Sequence, residues 1–206
     1  MRTLAIDSAT ENCSAALFEG KNLLAGDCRK LGRGHAEHLV PMIAALPGRG
    51  KADRIAVSMG PGSFTGVRIG LAAARALALA WGSTVVGYPT LALIAAMARH
   101  EAGAQPVGVA MTGGHGEWFV QQFGEGGNPL SPLASLAPAD AVRRITAPLV
   151  AGSQAEALVA LRGSGAALSL LPDARHFPLL DEGMLDTDPA PLYGRAPDAH
   201  LPERAG

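Results

Sequence analysis

Gly60-Pro-Gly-Ser-Phe-Thr-Gly-Val-Arg-Ile-Gly-Leu-Ala-Ala-Ala-Arg-Ala-Leu-Ala-Leu-Ala-Trp81 is the most informative stretch of this chain. Just before it, Arg54-Ile-Ala-Val-Ser58 is an apolar, β-branched run suited to a buried strand, and Gly60, Gly62 and Gly66 then punctuate a turn. A helix must follow. Ser63 and Thr65 supply N-cap oxygens, and from Gly66 to Trp81 there is no proline and only two charges, Arg68 and Arg75. Seven residues apart, these two differ by about 20° around the helix axis and share one stripe. The remaining surface is apolar or small, more than one sheet face covers, so a partner helix is expected, with Gly66, Gly70 and the alanines permitting close approach.

The glycines admit two other readings. Strand, Gly60-x-Gly62-x-x-x-Gly66, helix is the local context of a dinucleotide-binding turn, but the next strand, Thr84-Val-Val-Gly-Tyr88, lacks the acidic residue such a site needs. A Walker-type phosphate loop requires Lys and then Ser or Thr after its last glycine, where this chain has Val67-Arg68. A tight strand-to-helix turn with a closely packed helix is the reading preferred from the residues.

At 206 residues and 48% hydrophobic composition the chain can bury one substantial core or two small ones. A formal charge of -1 and 4% aromatic residues provide neither the basic field nor the stacking platforms of a chain that grips nucleic acid unaided. The N-terminus reaches Asp7 too soon for a signal-peptide core, and no run approaches the roughly 18 apolar residues of a membrane span, so a cytoplasmic protein without membrane contact is expected. Cys13 and Cys28 form no metal pattern and are read as reduced thiols.

Along the chain, Thr3–Asp7, Ser14–Phe18 and Leu23–Arg29 read as an antiparallel meander, followed by a helix over His35–Leu46 ended by Pro47-Gly48. His35 and His38 raise the question of a metal, but their spacing is not His-Glu-x-x-His and a third ligand is missing; no metal is expected. After the central helix come a strand over Thr84–Gly87 and a helix over Thr90–Ala102 capped by Thr90. Beyond a boundary at Gly103–Pro106, a second hairpin about Thr112–Gly116 repeats the opening, followed by a helix at Pro138–Ile145, a strand at Pro148–Ala151 and a helix at Gln154–Leu161. From Pro172 the tail should wrap the surface and fray after Arg195. A strand-end carboxylate beside hydroxyl residues, as at Asp7-Ser8-Ala9-Thr10, is where the sugar kinase, actin and heat-shock chaperone superfamily holds phosphate and metal; Ala9 replaces the glycine usual there.

Asp7–Ser14, His35–Pro41, Gly60–Leu71, Gly116–Trp118 and Pro191–Arg195 come in the order and spacing of the TsaB (YeaZ) family, which the chain resembles over nearly its whole length. The resemblance implies an α/β, actin-like fold of two related lobes with mixed sheets flanked by helices, residues 1–103 and a reduced lobe 104–206. It also implies a non-catalytic subunit without cofactor that works with a homologous TsaD, and with the ATPase TsaE, in making threonylcarbamoyladenosine on tRNA, reaching tRNA only through that complex. His35, His38, Leu39, Met42, Val67, Gly70, Leu71, Ala74 and Leu77 are the expected partner interface, with TsaD or in a homodimer when alone. Asp7, Ser8, Thr10, Gly60, Gly62 and Ser63 would be a vestigial nucleotide site, which leaves a degenerate nucleotide-binding protein or small phosphotransferase as the alternative. Where the family has Asp-Ala-Arg before Gly-Glu, this chain has Thr112-Gly-Gly-His, and Gly163–Asp188 looks shortened.

Overall fold

The computed structural model of the chain describes residues 1–194. β1 (Arg2–Asp7), β2 (Asn12–Glu19) and β3 (Asn22–Lys30) form the meander; α1 (His35–Ala44) leads to β4 (Arg54–Ser58), and α2 (Phe64–Trp81) to β5 (Thr84–Tyr88). The sheet order is β3-β2-β1-β4-β5, with β4 parallel to β1 and β5 parallel to β4. β1 lies in the middle, so its alternating side chains serve two cores: Leu4 and Ile6 face α1 and α2, whereas Ala5 faces the opposite layer.

The same plan recurs in β6 (Val107–Thr112), β7 (Trp118–Phe123), β8 (Ala134–Leu136), α4 (Pro138–Arg144), β9 (Leu149–Ala151), α5 (Ala155–Arg162) and β10 (Ala166–Leu168), ordered β10-β9-β6-β7-β8. Two lobes of one topology, each a mixed sheet flanked by helices, make an actin-like fold. α3 (Thr90–Ala102) joins them and is buried from Thr90 to Ala98. Its Leu91, Ile94 and Ala95 pack with Val107, Val109 and Phe123 of the second lobe, while Leu93 and Met97 pack with Phe18 and Tyr88 of the first. Thr90 is not its cap: Pro89 holds that position, and the Thr90 hydroxyl lies 2.6 Å from Ser58 Oγ in the interior.

The segment after β10 departs most from the sequence reading. Residues 172–194, expected in the second lobe, return to the first and form the layer over its sheet. Ala174 N–H donates to Ser14 Oγ (2.9 Å), Phe177 packs 6.3 Å from Phe18 and 5.7 Å from Tyr88, and Arg54 forks onto Glu182. Gly87 and Asp186 exchange backbone hydrogen bonds of 2.7 and 2.9 Å. The part of the shortened stretch that follows Leu171 is therefore the cover of lobe one, whereas Ala166–Leu168 belongs to the second sheet. The expected fraying after Arg195 lies outside the described residues.

Candidate functional site

Three glycines of the central stretch seat a piece of backbone. A Cβ at Gly62 would lie 2.0 Å from the Ala9 carbonyl oxygen, at Gly66 2.1 Å from the Ser8 carbonyl oxygen, and at Gly70 2.6 Å from Ser8 Oγ. Spaced four apart, they form a groove along α2 in which the β1–β2 turn lies. Ser63 N–H donates to the Ala9 carbonyl (2.6 Å), Ser8 Oγ to the Gly66 carbonyl (2.9 Å), and Ser63 Oγ caps α2 by accepting from Gly66 N–H (3.2 Å). The Ser63 amide, which a phosphate-binding turn would turn toward its ligand, is thus spent on the Ala9 carbonyl. His35 fastens the same turn, its buried Nε2 lying 2.8 Å from the Thr10 carbonyl and 3.3 Å from that of Asn12, while His38 points to solvent. The two histidines do not converge, and among the described residues no three His, Cys, Asp or Glu side chains cluster as metal ligands would.

Asp7 is fully buried. Its Oδ1 accepts from Ala9 N–H (3.0 Å), and Tyr88 OH, which donates to the Ile6 carbonyl (2.9 Å), lies 3.3 Å from its Oδ2. Burial pushes its carboxyl up to about 7, against the opposing pull of the hydrogen bonds from Ala9, Ser58 and Tyr88. A carboxylate so enclosed touches no cleft.

Between the lobes runs a cleft of about 960 Å³, bounded by the β1–β2 turn, the start of α2, the β6–β7 hairpin and Leu192–Gly194. Of the six residues expected in a nucleotide site, Thr10, Gly62 and Ser63 line it; Asp7 and Ser8 are buried behind the turn, and Gly60 serves that turn with φ 90° and a carbonyl that accepts from Thr90 N–H. Thr112 is bonded within lobe two, its N–H donating to Ser153 Oγ (3.0 Å) and its hydroxyl accepting from Gln154 Nε2 (2.9 Å). Among the described lining residues Arg68 is the one arginine or lysine, against Glu11 and Glu117. Its guanidinium is already engaged, 3.4 Å from the Phe64 ring centroid and donating to Tyr193 OH (2.8 Å). A polyphosphate would find little positive field there.

The other notable surface is on the helices. Leu39, Met42, Val67, Gly70, Leu71 and Ala74, together with His35, are buried in the chain's own first lobe, where α1 and α2 pack on the sheet and on each other. These expected interface residues are core, because the internal partner helix is α1 itself; His38 is exposed and Leu77 half-buried. At 100° per residue, the solvent strip of α2 holds Thr65, Ile69, Ala72, Ala73, Ala76, Leu79 and Ala80. Leu79 is 88% exposed, and Val40 of α1 51%. These residues carry no charge, and the exposed Arg68 and Arg75 run along the Leu79 side of them. Contrary to expectation, α2 is long and apolar enough for a membrane span, with a mean hydropathy of 1.2, yet a third of that window is buried in this fold. The glycines turned toward the β1–β2 turn were the cue in the sequence that could have told the buried residues of α2 from its exposed alanines.

A family model described as TsaD, tRNA N6-adenosine threonylcarbamoyltransferase, matches residues 29–174. The chain is 38% identical over 134 residues to the tRNA threonylcarbamoyladenosine biosynthesis protein TsaB of Escherichia coli, across 62% of this chain and 58% of that protein. YeaZ from Pseudomonas aeruginosa superposes with a TM-score of 0.79 at 28% identity, covering 93% of this chain and 99% of that one. The chain belongs to the TsaB (YeaZ) family, within the wider TsaD group. Its alignment spans about three-fifths of the length of the first curated TsaB proteins it matches. A tRNA N6-adenosine threonylcarbamoyltransferase of Anaeromyxobacter dehalogenans is also similar, 32% identical over 149 residues, 60% of this chain and 45% of that one.

Proposed function

We propose that this TsaB-family chain is a non-catalytic subunit in threonylcarbamoyladenosine biosynthesis, holding a TsaD homologue through the exposed face of α1 and α2. The observation that carries the reading is the uncharged strip of α2 from Thr65 to Ala80, with Leu79 standing out of it and Val40 exposed on α1. Small side chains let a second helix pair approach closely, and burying Leu79 alone contributes about 1.5–3 kcal/mol. A partner of related fold is favoured because the matching family model spans both α1 and α2, so a TsaD homologue carries an equivalent helix pair and two related patches can meet about a pseudo-two-fold axis. Transfer chemistry would then reside on the partner, TsaE would join the larger assembly, and tRNA would be reached through the complex, in keeping with the chain's charge of -1.

The nucleotide-binding alternative draws on the inter-lobe cleft, but Asp7 is sealed away and the Ser63 amide at the start of α2 is taken by the Ala9 carbonyl. Depletion of the chain in its own cells, followed by mass spectrometry of tRNA nucleosides, tests the proposal. Threonylcarbamoyladenosine should fall and return with the wild-type chain but not with Ala76→Glu; full rescue by a folded Ala76→Glu would refute the placement of the surface. Calorimetry with magnesium-ATP should show no micromolar binding, and turnover would favour the phosphotransferase.

A further inference from the structure

The strip on α2 is bordered along one edge by the returning tail, and that border is built in an unusual way. Both charges of the helix are directed at it. Arg75 Nη2 donates to the Pro189 carbonyl (2.8 Å), and Arg68 Nη2 donates to Tyr193 OH (2.8 Å) while its guanidinium lies over the Phe64 ring. The Phe64 and Tyr193 rings are 6.2 Å apart, 34° from parallel. Leu192 N–H donates to the Met59 carbonyl (2.8 Å), and Gly194 packs so closely on Phe119 that a Cβ would reach its ring at 2.5 Å. Residues 189–194 thus run from β5 along the charged side of α2 and end against the second lobe.

We infer that Pro189–Gly194 is a strap that forms one edge of the docking face, and that the chain takes its partner tightly only with the strap in place. The inference rests on the docking role proposed above. Around the helix axis Arg75 and Arg68 lie about 40° and 20° from Leu79. With the strap docked, each guanidinium has an acceptor, and the half-exposed Tyr193 and Phe64 extend the apolar surface past the arginines. With the strap released, two unpartnered guanidinium groups border the strip, and an apolar partner that closes over them must strip their water without replacing it. Apart from the buried Pro189, the Leu192–Met59 backbone hydrogen bond and the Gly194–Phe119 contact, the strap is held by side-chain hydrogen bonds and a ring pair at the surface, and none of these contacts belongs to a sheet ladder, so it can open locally while the two sheets stay intact. Association is then adjustable without unfolding, through whatever favours or displaces Tyr193.

The full chain is compared with Tyr193→Ala, Tyr193→Phe and Arg75→Gln. Hydrogen exchange at the Leu192 amide reads strap docking in the isolated chain, and titration with the purified TsaD homologue reads association. Tyr193→Ala should speed Leu192 exchange at least tenfold and weaken association at least tenfold with an unchanged Tm; Arg75→Gln should do both to a smaller extent. Tyr193→Phe, which keeps the ring and loses the hydroxyl acceptor, should fall between wild type and Tyr193→Ala. If Tyr193→Ala binds the homologue as tightly as wild type, or leaves Leu192 exchange unchanged, the strap is overturned while the docking reading stands. If the wild-type chain itself does not bind, the docking reading fails and takes the strap with it.

Discussion

Replacing Asp7 by asparagine should make this protein more stable at pH 8 and remove most of its pH dependence between pH 4 and 7. The Asp7 carboxyl is fully buried and titrates at about 7 in the folded chain against 3.8 in an unperturbed one. Between these values the native chain holds a proton that the unfolded chain has released, so stability falls as pH rises through the window and levels off above about 7. At 1.36 kcal/mol per unit the loss is about 4 kcal/mol. The Asp7→Asn side chain keeps an oxygen to accept from Ala9 N–H, and its amide can donate to the Tyr88 hydroxyl beside it. The variant should match the protonated acid near pH 4 and exceed wild type by about 2–4 kcal/mol at pH 8, once imperfect geometry is allowed for. Glu182, held below its ordinary range by Arg54, contributes stability lost toward acid pH, but its exposure makes that opposing slope small. Urea unfolding from pH 4 to 8, followed by circular dichroism, measures both chains. Wild-type stability that rises from pH 5 to 7, with Asp7→Asn weaker at pH 8, would refute the argument.

Gly66→Ala should destabilise by about 3 kcal/mol or prevent folding, because the added methyl meets a backbone carbonyl that no rotamer change can move; a Tm within about 2–3 °C of wild type, the smallest shift worth reading, would contradict the groove. A bulky residue at Gly70 would run into the buried Ser8 and Val57 side chains and should unfold the chain instead of selectively uncoupling it from a partner. Phe177→Ala should cost about 3–5 kcal/mol in denaturant unfolding, since its ring fills the space between Phe18, Tyr88 and the aliphatic layer over β1. A loss below about 1 kcal/mol would mean that the returning segment is not part of the core of lobe one.

Most helices and strands follow from local patterning. The run before Gly60 is buried on both faces as its composition requires, and α2 begins at Ser63 and ends at Gly82 through the caps the sequence displays. The duplicated meander was legible as two hairpins in related places. β8 and β10 were not, being three-residue strands too short to show alternation. The destination of residues 172–194 was hidden for a different reason: proline-rich segments carry no periodicity, and what fixes this one is long-range pairing such as Arg54 with Glu182 and Gly87 with Asp186. The candidate surface illustrates the same limit. Apolarity identified α2 as a helix with two packed sides, but which side faces the core is decided by Gly62, Gly66 and Gly70 against the Ser8–Ala9 turn, a contact between segments about 58 residues apart.

The central claim is that the uncharged face of α2 holds a TsaD homologue, and sedimentation velocity of the purified pair tests it most directly. The wild-type chain should form a one-to-one complex, Leu79→Ala should weaken it about tenfold or more, and Ala76→Glu should abolish it while leaving the circular dichroism of the chain unchanged. A complex that survives Ala76→Glu and Leu79→Ala at wild-type affinity would show that the partner binds elsewhere.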